Sequence, residues 1–332
     1  MDQTIRSIAV VRLSAIGDVC HAMAVVGAMQ RQYPNARIVW ITSPLEANIV
    51  KLLPNVDVRV YNKKSGFKGM LALRRELAGE CFDVLLHLQW SLRASLLTRM
   101  VKAVRRIGFH PSVSREKQHW FVNEHGNKPN GAHVLDSFLS ITEKLGVTEP
   151  LLPLPLNLPA APATLPESYV VLNPSASKAE RNWTLEGYQG VIEYLVSNGK
   201  PVVLTGGGSA SEMALAQSLV QDGVISLVGQ TSLPEMFSVL AGAQLVISPD
   251  TGPAHMATLV GTPVMGLYAH SNPRRTGPYK DLDKVVSVYD ELAEKEYGKP
   301  VEELPWASRV HDPSAMQAIT LEQVIAQMKA VI

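Results

Sequence analysis

Short runs of β-branched and aliphatic residues alternate with longer amphipathic stretches along most of the chain. This alternation restricts the fold more than any other feature. SIAVVRLS reads as a strand, DVCHAMAVVGAMQRQY as a helix, ARIVWITS as a strand and LEANIVKLL as a helix. VDVRVY, KGMLALRRELAGE, FDVLLHLQ, LRASLLTRMVKAV and RRIGF continue the series. Strands that take turns with helices predict parallel sheets with right-handed crossovers. The proline-rich segment LLPLPLNLPAAPATLP, 151–166, interrupts the pattern and is the predicted linker. The alternation then restarts at YVVLNPS and runs to PVMGLYA. The expected architecture is therefore α/β: one doubly wound Rossmann-like domain over 1–150, the linker, and a second over 167–332, facing a central cleft.

A length of 332 residues suits two domains that each bury a core, and 46% apolar with 18% charged residues is a folded composition. A formal charge of +1 argues against a globally basic nucleic-acid binder. With only Cys20 and Cys81 there is neither a disulfide framework nor a four-cysteine zinc site, which fits a reducing cytoplasm. The N-terminal apolar run is broken by Arg12 and Asp18, unlike a signal peptide, and nowhere do 18 apolar residues run together.

In such sheets, chemistry gathers at the carboxyl ends of the strands. In SPDTGPAHMA, Asp250, Thr251 and Gly252 fall where an apolar strand hands over to a helix that carries Pro253 in its first turn. Backbone N–H groups and the positive end of the helix dipole favour anionic oxygen there. A helix cap explains Asp250 or Thr251; it does not explain His255 beside the same end. Other strand ends of this half carry Asn173, Ser175 and Ser177, then Thr205 with Gly206, Gly207 and Gly208, then Gly229 to Ser232. Together they form a nucleotide-site pattern, although a glycine-rich turn also arises from geometry alone. Lys178 and Arg181 have the charge to neutralise a diphosphate, Arg181 by bidentate contact; solvated loop cations are the ordinary alternative.

In the first half, Gly17 and Asp18 follow the first strand. By local sequence Asp18 is more often a cap than a base, and His21 lies on the same helical face, where the two can pair. Cys20 reads as a small buried thiol. This turn lacks G-x-G-x-x-G, which weakens a dinucleotide reading. Asp281 and Asp283 form a D-x-D in a charged region and read as surface. Arg99, Lys102, Arg105, Arg106, Arg115 and Lys117, interleaved with aromatic residues, suit an anionic acceptor or a membrane surface, against the ordinary reading of a solvated helix face.

RLSAIGDVCHA, RRIGF, AHVLDSF, LNPSASKAERNW, GQTSL and SPDTGPAHMA, in this order, resemble the ADP-heptose:lipopolysaccharide heptosyltransferases, inverting glycosyltransferases of GT-B fold. The opening stretch is most similar to the OpsX-type heptosyltransferase I branch. The resemblance implies that Asp18 is the general base, that the second domain binds ADP-heptose with Asp250, Thr251, Gly252 and His255 bordering the diphosphate and sugar, and that Arg181 meets the phosphate; Ser175, Thr205, Gly206 and Gly207, from the strand ends, complete the donor-binding candidates. Arg93, Arg105 and Arg106 are the acceptor-binding candidates. The implied reaction carries L-glycero-D-manno-heptose to the Kdo region of the lipopolysaccharide inner core, on Kdo-lipid A or inner-core acceptors. It is a single displacement with neither metal nor cofactor. The implied setting is the cytoplasm, peripheral at the inner face of the inner membrane. The rival readings are addition of a later core heptose, a transferase or epimerase using another nucleotide-sugar, and a non-catalytic nucleotide-sugar-binding protein. An NAD-dependent dehydrogenase is disfavoured.

Overall fold

The structure is a computed structural model that describes residues 5–332. The chain divides into two compact units, one through Asn157 and the other from Leu158.

The first unit runs β1 (Ser7–Val11), α1 (Ile16–Gln32), β2 (Arg37–Thr42), α2 (Pro44–Val50), β3 (Val56–Val60), α3 (Gly66–Glu76), β4 (Phe82–His87), α4 (Leu92–Thr98), β5 (Ala103–Gly108), β6 (Glu124–His125) and α5 (Val134–Thr142). Its strands pair in the parallel order β3-β2-β1-β4-β5-β6. Ile8 to Val11 are buried because both faces of the central strand are covered, so β1 reads as an unbroken apolar run. Val19 to Met29 of α1 are buried as well, which leaves that helix little polar face.

The second unit runs β7 (Val170–Leu172), α6 (Leu185–Ser197), β8 (Val202–Leu204), α7 (Ala210–Gln217), β9 (Val224–Ser226), α8 (Leu233–Ala241), β10 (Leu245–Pro249), α9 (Gly252–Val260), β11 (Val264–Tyr268), α10 (Pro273–Thr276), β12 (Val286–Ser287), α11 (Tyr289–Tyr297) and α12 (Leu321–Lys329). The order β12-β11-β10-β7-β8-β9 repeats the first unit's pattern strand for strand. In both sheets the order reverses beside the unit's first strand, between β1 and β4 and between β7 and β10. That reversal is where doubly wound sheets leave a crevice for ligands.

Three expectations change. The helix expected over 92–104 stops at Thr98, where turns close from Met100 N–H to Leu97 O and from Val101 N–H to Thr98 O. Phe82 N–H then bonds Lys102 O and draws the chain into β5, so Arg105 and Arg106 lie on a strand. The proline-rich stretch is not free: Leu151 N–H donates to Ala24 O and Asn157 N–H to Leu52 O, and Leu154 is buried. Gly27 makes that docking possible, since a Cβ there would stand 2.3 Å from Leu154 Cδ2. Asp281 is not surface either. It is buried, accepts from Val264 N–H at 3.1 Å and pairs with Lys284 at 2.8 Å, while Asp283 is exposed.

Candidate active site

In the first unit the chain between β1 and α1 is pinned from both neighbouring strand ends. Leu13 N–H donates to Gln89 Oε1 at 2.8 Å, beyond β4, and Ser43 N–H, beyond β2, donates to Leu13 O at 3.2 Å. Lys63, beyond β3, donates to Ser14 Oγ. α1 then begins with Ala15 as its N-cap and no capping side chain, so Asp18, in the first turn, is not a cap. Its carboxylate Oδ2 pairs with Nη2 of Arg12. Arg12 is 3% exposed and Asp18 34%, so a buried cation holds a carboxylate that reaches solvent. Arg12 Nη1 also donates to Leu88 O at 2.6 Å, and its guanidinium lies 5.4 Å from the Phe138 ring centroid. Burial pulls the guanidinium below its usual pKa, opposed by the charges of Asp18 and Glu46.

His21 meets His133 edge-to-face at 5.0 Å, and His133 caps α5 with Asp136. The AHVLDSF segment thus braces α1 one turn after Asp18. Cys20 is buried and its thiol pKa is pushed up by desolvation, so it is not reactive.

In the second unit, Thr251 is the N-cap of α9 and makes no capping hydrogen bond, with Pro253 in the first turn and His255 buried one turn in. The helices after β7, β8 and β9 are capped by Thr184, Ser209 and Ser232. The expected cap at α9 is therefore not made, and its first N–H groups lie at the reversal between β7 and β10. Arg181 reaches the same place from a tight turn over Ala179–Arg181. Asn182 Oδ1, accepting from Ala176 N–H at 2.8 Å, and Trp183 Nε1, donating to Ile319 O at 2.9 Å, fix that turn. Arg181 Nη1 donates to Asp250 O at 3.1 Å and lies 3.4 Å from Asp250 Oδ2, which also accepts from Ser271 Oγ at 2.6 Å. Arg181 Nε and Ser175 Oγ are buried without a hydrogen-bond partner. A polar ligand or a water would satisfy such atoms.

The remaining candidates divide. Thr205 is fully buried, with Oγ1 3.4 Å from Asn173 Oδ1, so it shapes the turn from within. Gly206 is buried beside it, while Gly207 is exposed and its N–H bonds Glu212 Oε1 at 2.9 Å. A Cβ on Gly207 would meet Glu212 at 2.8 Å. Lys178 is an exposed loop cation 3.6 Å from Glu180.

The acceptor candidates need correction. Arg105 forms a two-pronged pair with Glu124 at 2.9 Å on each arm, and Arg106 is buried with Nη2 on Val101 O at 2.7 Å. Neither presents a free cation to an anionic surface. Arg93 is exposed on the first turn of α4. Among the described residues, no three His, Cys, Asp or Glu side chains gather as metal ligands, and no helix is long and apolar enough to cross a membrane.

The sequence reading missed Arg12, Lys63, Gln89 and Ser271 as parts of these sites. All four stand at or beyond the carboxyl ends of strands, so the rule that singled out Asp250 finds them once applied to every strand of both sheets.

Residues 70–307 match glycosyltransferase family 9 (heptosyltransferase). The chain is 39% identical to the lipopolysaccharide core heptosyltransferase OpsX of Haemophilus influenzae, over 98% of this chain and 96% of that protein. Its fold is like that of a glycosyl transferase family 9 protein from Veillonella parvula, with a TM-score of 0.81 and 20% identity, covering 100% of this chain and 98% of that one. It is also like that of the Escherichia coli heptosyltransferase WaaC solved with ADP, with a TM-score of 0.77 and 20% identity, covering 98% and 100%. Two doubly wound units, a sequence match over most of the chain and a near full-length relative lead to one conclusion: this protein is an enzyme of glycosyltransferase family 9, the heptosyltransferases.

Proposed function

We propose that this enzyme transfers L-glycero-D-manno-heptose from ADP-heptose to the Kdo region of the lipopolysaccharide inner core. The observation that carries this reading is the pair of sites at the two sheet reversals. One presents a carboxylate on an uncapped helix, the other an uncapped helix N-terminus beside a buried guanidinium. The nearly full-length likeness to a lipopolysaccharide core heptosyltransferase points to the same chemistry.

In this reaction Asp18 takes the proton of an acceptor hydroxyl as that oxygen bonds to C1 of the heptose. The bond from C1 to the diphosphate oxygen breaks, its electron pair leaves with ADP, and C1 inverts. The N–H of Gly252, the dipole of α9, Arg181 and His255 stabilise the negative charge that develops on the diphosphate. Asp250 holds Arg181 at one nitrogen and reaches toward the heptose hydroxyls. Ser175 supplies a further hydroxyl.

The acceptor is an amphipathic lipid, and we place the enzyme peripherally at the cytoplasmic membrane face. Glu116 Oε2 accepts from Leu92 N–H at 2.6 Å, which ties the turn after residue 115 to the start of α4. Leu92, Arg93 and Leu96 are exposed on α4, and Lys117 and Trp120 are exposed on the turn so tied, with Lys117 Nζ 4.6 Å from the Trp120 ring centroid. A basic, aromatic and aliphatic surface suits anionic headgroups and their apolar boundary.

The test is to incubate the protein with ADP-heptose and a panel of Kdo-bearing and heptose-bearing acceptors, with product mass as the readout. One added heptose on Kdo-lipid A is the expected product. Turnover of heptose-bearing acceptors alone would move the enzyme to a later core addition, and turnover of another nucleotide-sugar would reject the donor.

A further inference from the structure

We infer that Arg12 is a positioning residue for this reaction: its guanidinium locks one oxygen of the Asp18 carboxylate and leaves the other to meet the acceptor hydroxyl. The inference rests on Asp18 being the base. Four elements converge on the Arg12 side chain. The end of β4 offers Leu88 O at 2.6 Å, α1 offers Asp18 Oδ2, α5 offers the Phe138 ring at 5.4 Å, and α2 contributes the buried charge of Glu46.

A guanidinium this deeply buried is costly unless its charge is paired and its donors are used. A side chain needed only for packing is better served by an apolar residue of like volume. Here the ion-pair partner is the group that must face solvent and substrate, and the nearest approach is from Nη2 to Oδ2. Nη1 on Leu88 O fixes the plane of the guanidinium, so the direction of Nη2, and with it the rotation of the carboxylate, follows from the backbone of β4. Lysine is a poor substitute, because one ammonium on a flexible stem lacks the rigid fork that bridges a carbonyl and a carboxylate.

A double-mutant cycle on kcat tests this, using the acceptor that the parent enzyme turns over and ADP titration of every variant. Arg12→Met is expected to lower kcat about 100-fold and Arg12→Lys about tenfold, with ADP affinity unchanged within about twofold, because the donor site lies in the other unit. In an Asp18→Asn background neither change should lower kcat by more than about twofold, since Arg12 acts through Asp18. Full, multiplicative loss in that background would make Arg12 a general structural residue and overturn the proposal. Parent-like kcat in folded Arg12→Lys and Arg12→Met would overturn it as well. If Asp18→Asn alone keeps parent turnover, the base assignment itself fails, a result distinct from a multiplicative cycle. Where Arg12→Met does not fold, the Arg12→Lys arm of the cycle decides.

Discussion

His87 ends β4 next to the Asp18 site, fully buried, with Nε2 2.9 Å from Ser95 Oγ. Desolvation, aided by the nearby charges of Arg12 and Arg106, pushes its pKa down to about 3. The unfolded chain holds this histidine near pKa 6.5, so between those values the unfolded state binds the extra proton. The stability of the neutral imidazole is therefore complete above about pH 6.5 and is lost as pH falls toward 3, at no more than about 1.4 kcal/mol per pH unit. Urea unfolding between pH 7 and 4.5 should show this slope, and His87→Gln should flatten it; an equal slope in the variant would assign the acid sensitivity to carboxylates elsewhere. Around the same strand end, Gln118 is buried and bridges His87 O and Phe109 N–H, so β4 and β5 are locked together just beneath the turn that carries Arg12. These interior bonds hold the strand ends beside Arg12 and Asp18 in place.

The element that distinguishes the proposed donor site is α9. Ser232 caps α8 with its Oγ on Glu235 N–H, so Ser232→Ala should cost about 1 kcal/mol of stability and leave ADP affinity alone. Thr251 makes no such bond at α9, so Thr251→Ala should cost only a few tenths of a kcal/mol while weakening ADP. Thermal denaturation and calorimetric titration of both variants check this, and the reverse pattern would return Thr251 to the role of a plain cap. This contrast marks the limit of the sequence. Strand and helix order was legible because buried parallel strands such as Leu245 to Ile247 are unbroken apolar runs, and Asp250 to His255 stood out because they follow one. Whether Thr251 caps its helix depends on a rotamer, which no spacing encodes. The pairs Arg12 with Leu88 and Arg181 with Asp250 join residues 76 and 69 positions apart, beyond any local pattern. Arg105 and Arg106 misled because a run of cations reads alike whether it lies on an exposed helix or, as here, on a strand with one side chain paired and the next buried.

At the scale of the molecule, one strand order is used twice, and in the proposed reaction each unit brings one half of the chemistry to its own sheet reversal. The proposed lipid-facing patch lies on the first unit. Changing Arg93, Lys117 and Trp120 together to Gln, Gln and Ala should weaken co-sedimentation with anionic, acceptor-containing vesicles at low salt, by about 1 kcal/mol for each cation, and spare ADP affinity. Parent-like sedimentation would leave this patch a solvated surface. The central claim is that Asp18 removes the acceptor proton while the second unit binds the donor independently of it. The most direct test is single-turnover transfer by Asp18→Asn, with ADP affinity measured on the same preparation. The account predicts a rate lower by about 10²–10⁴-fold with ADP affinity within about twofold of the parent. A single-turnover rate close to that of the parent, with chemistry limiting, would contradict it.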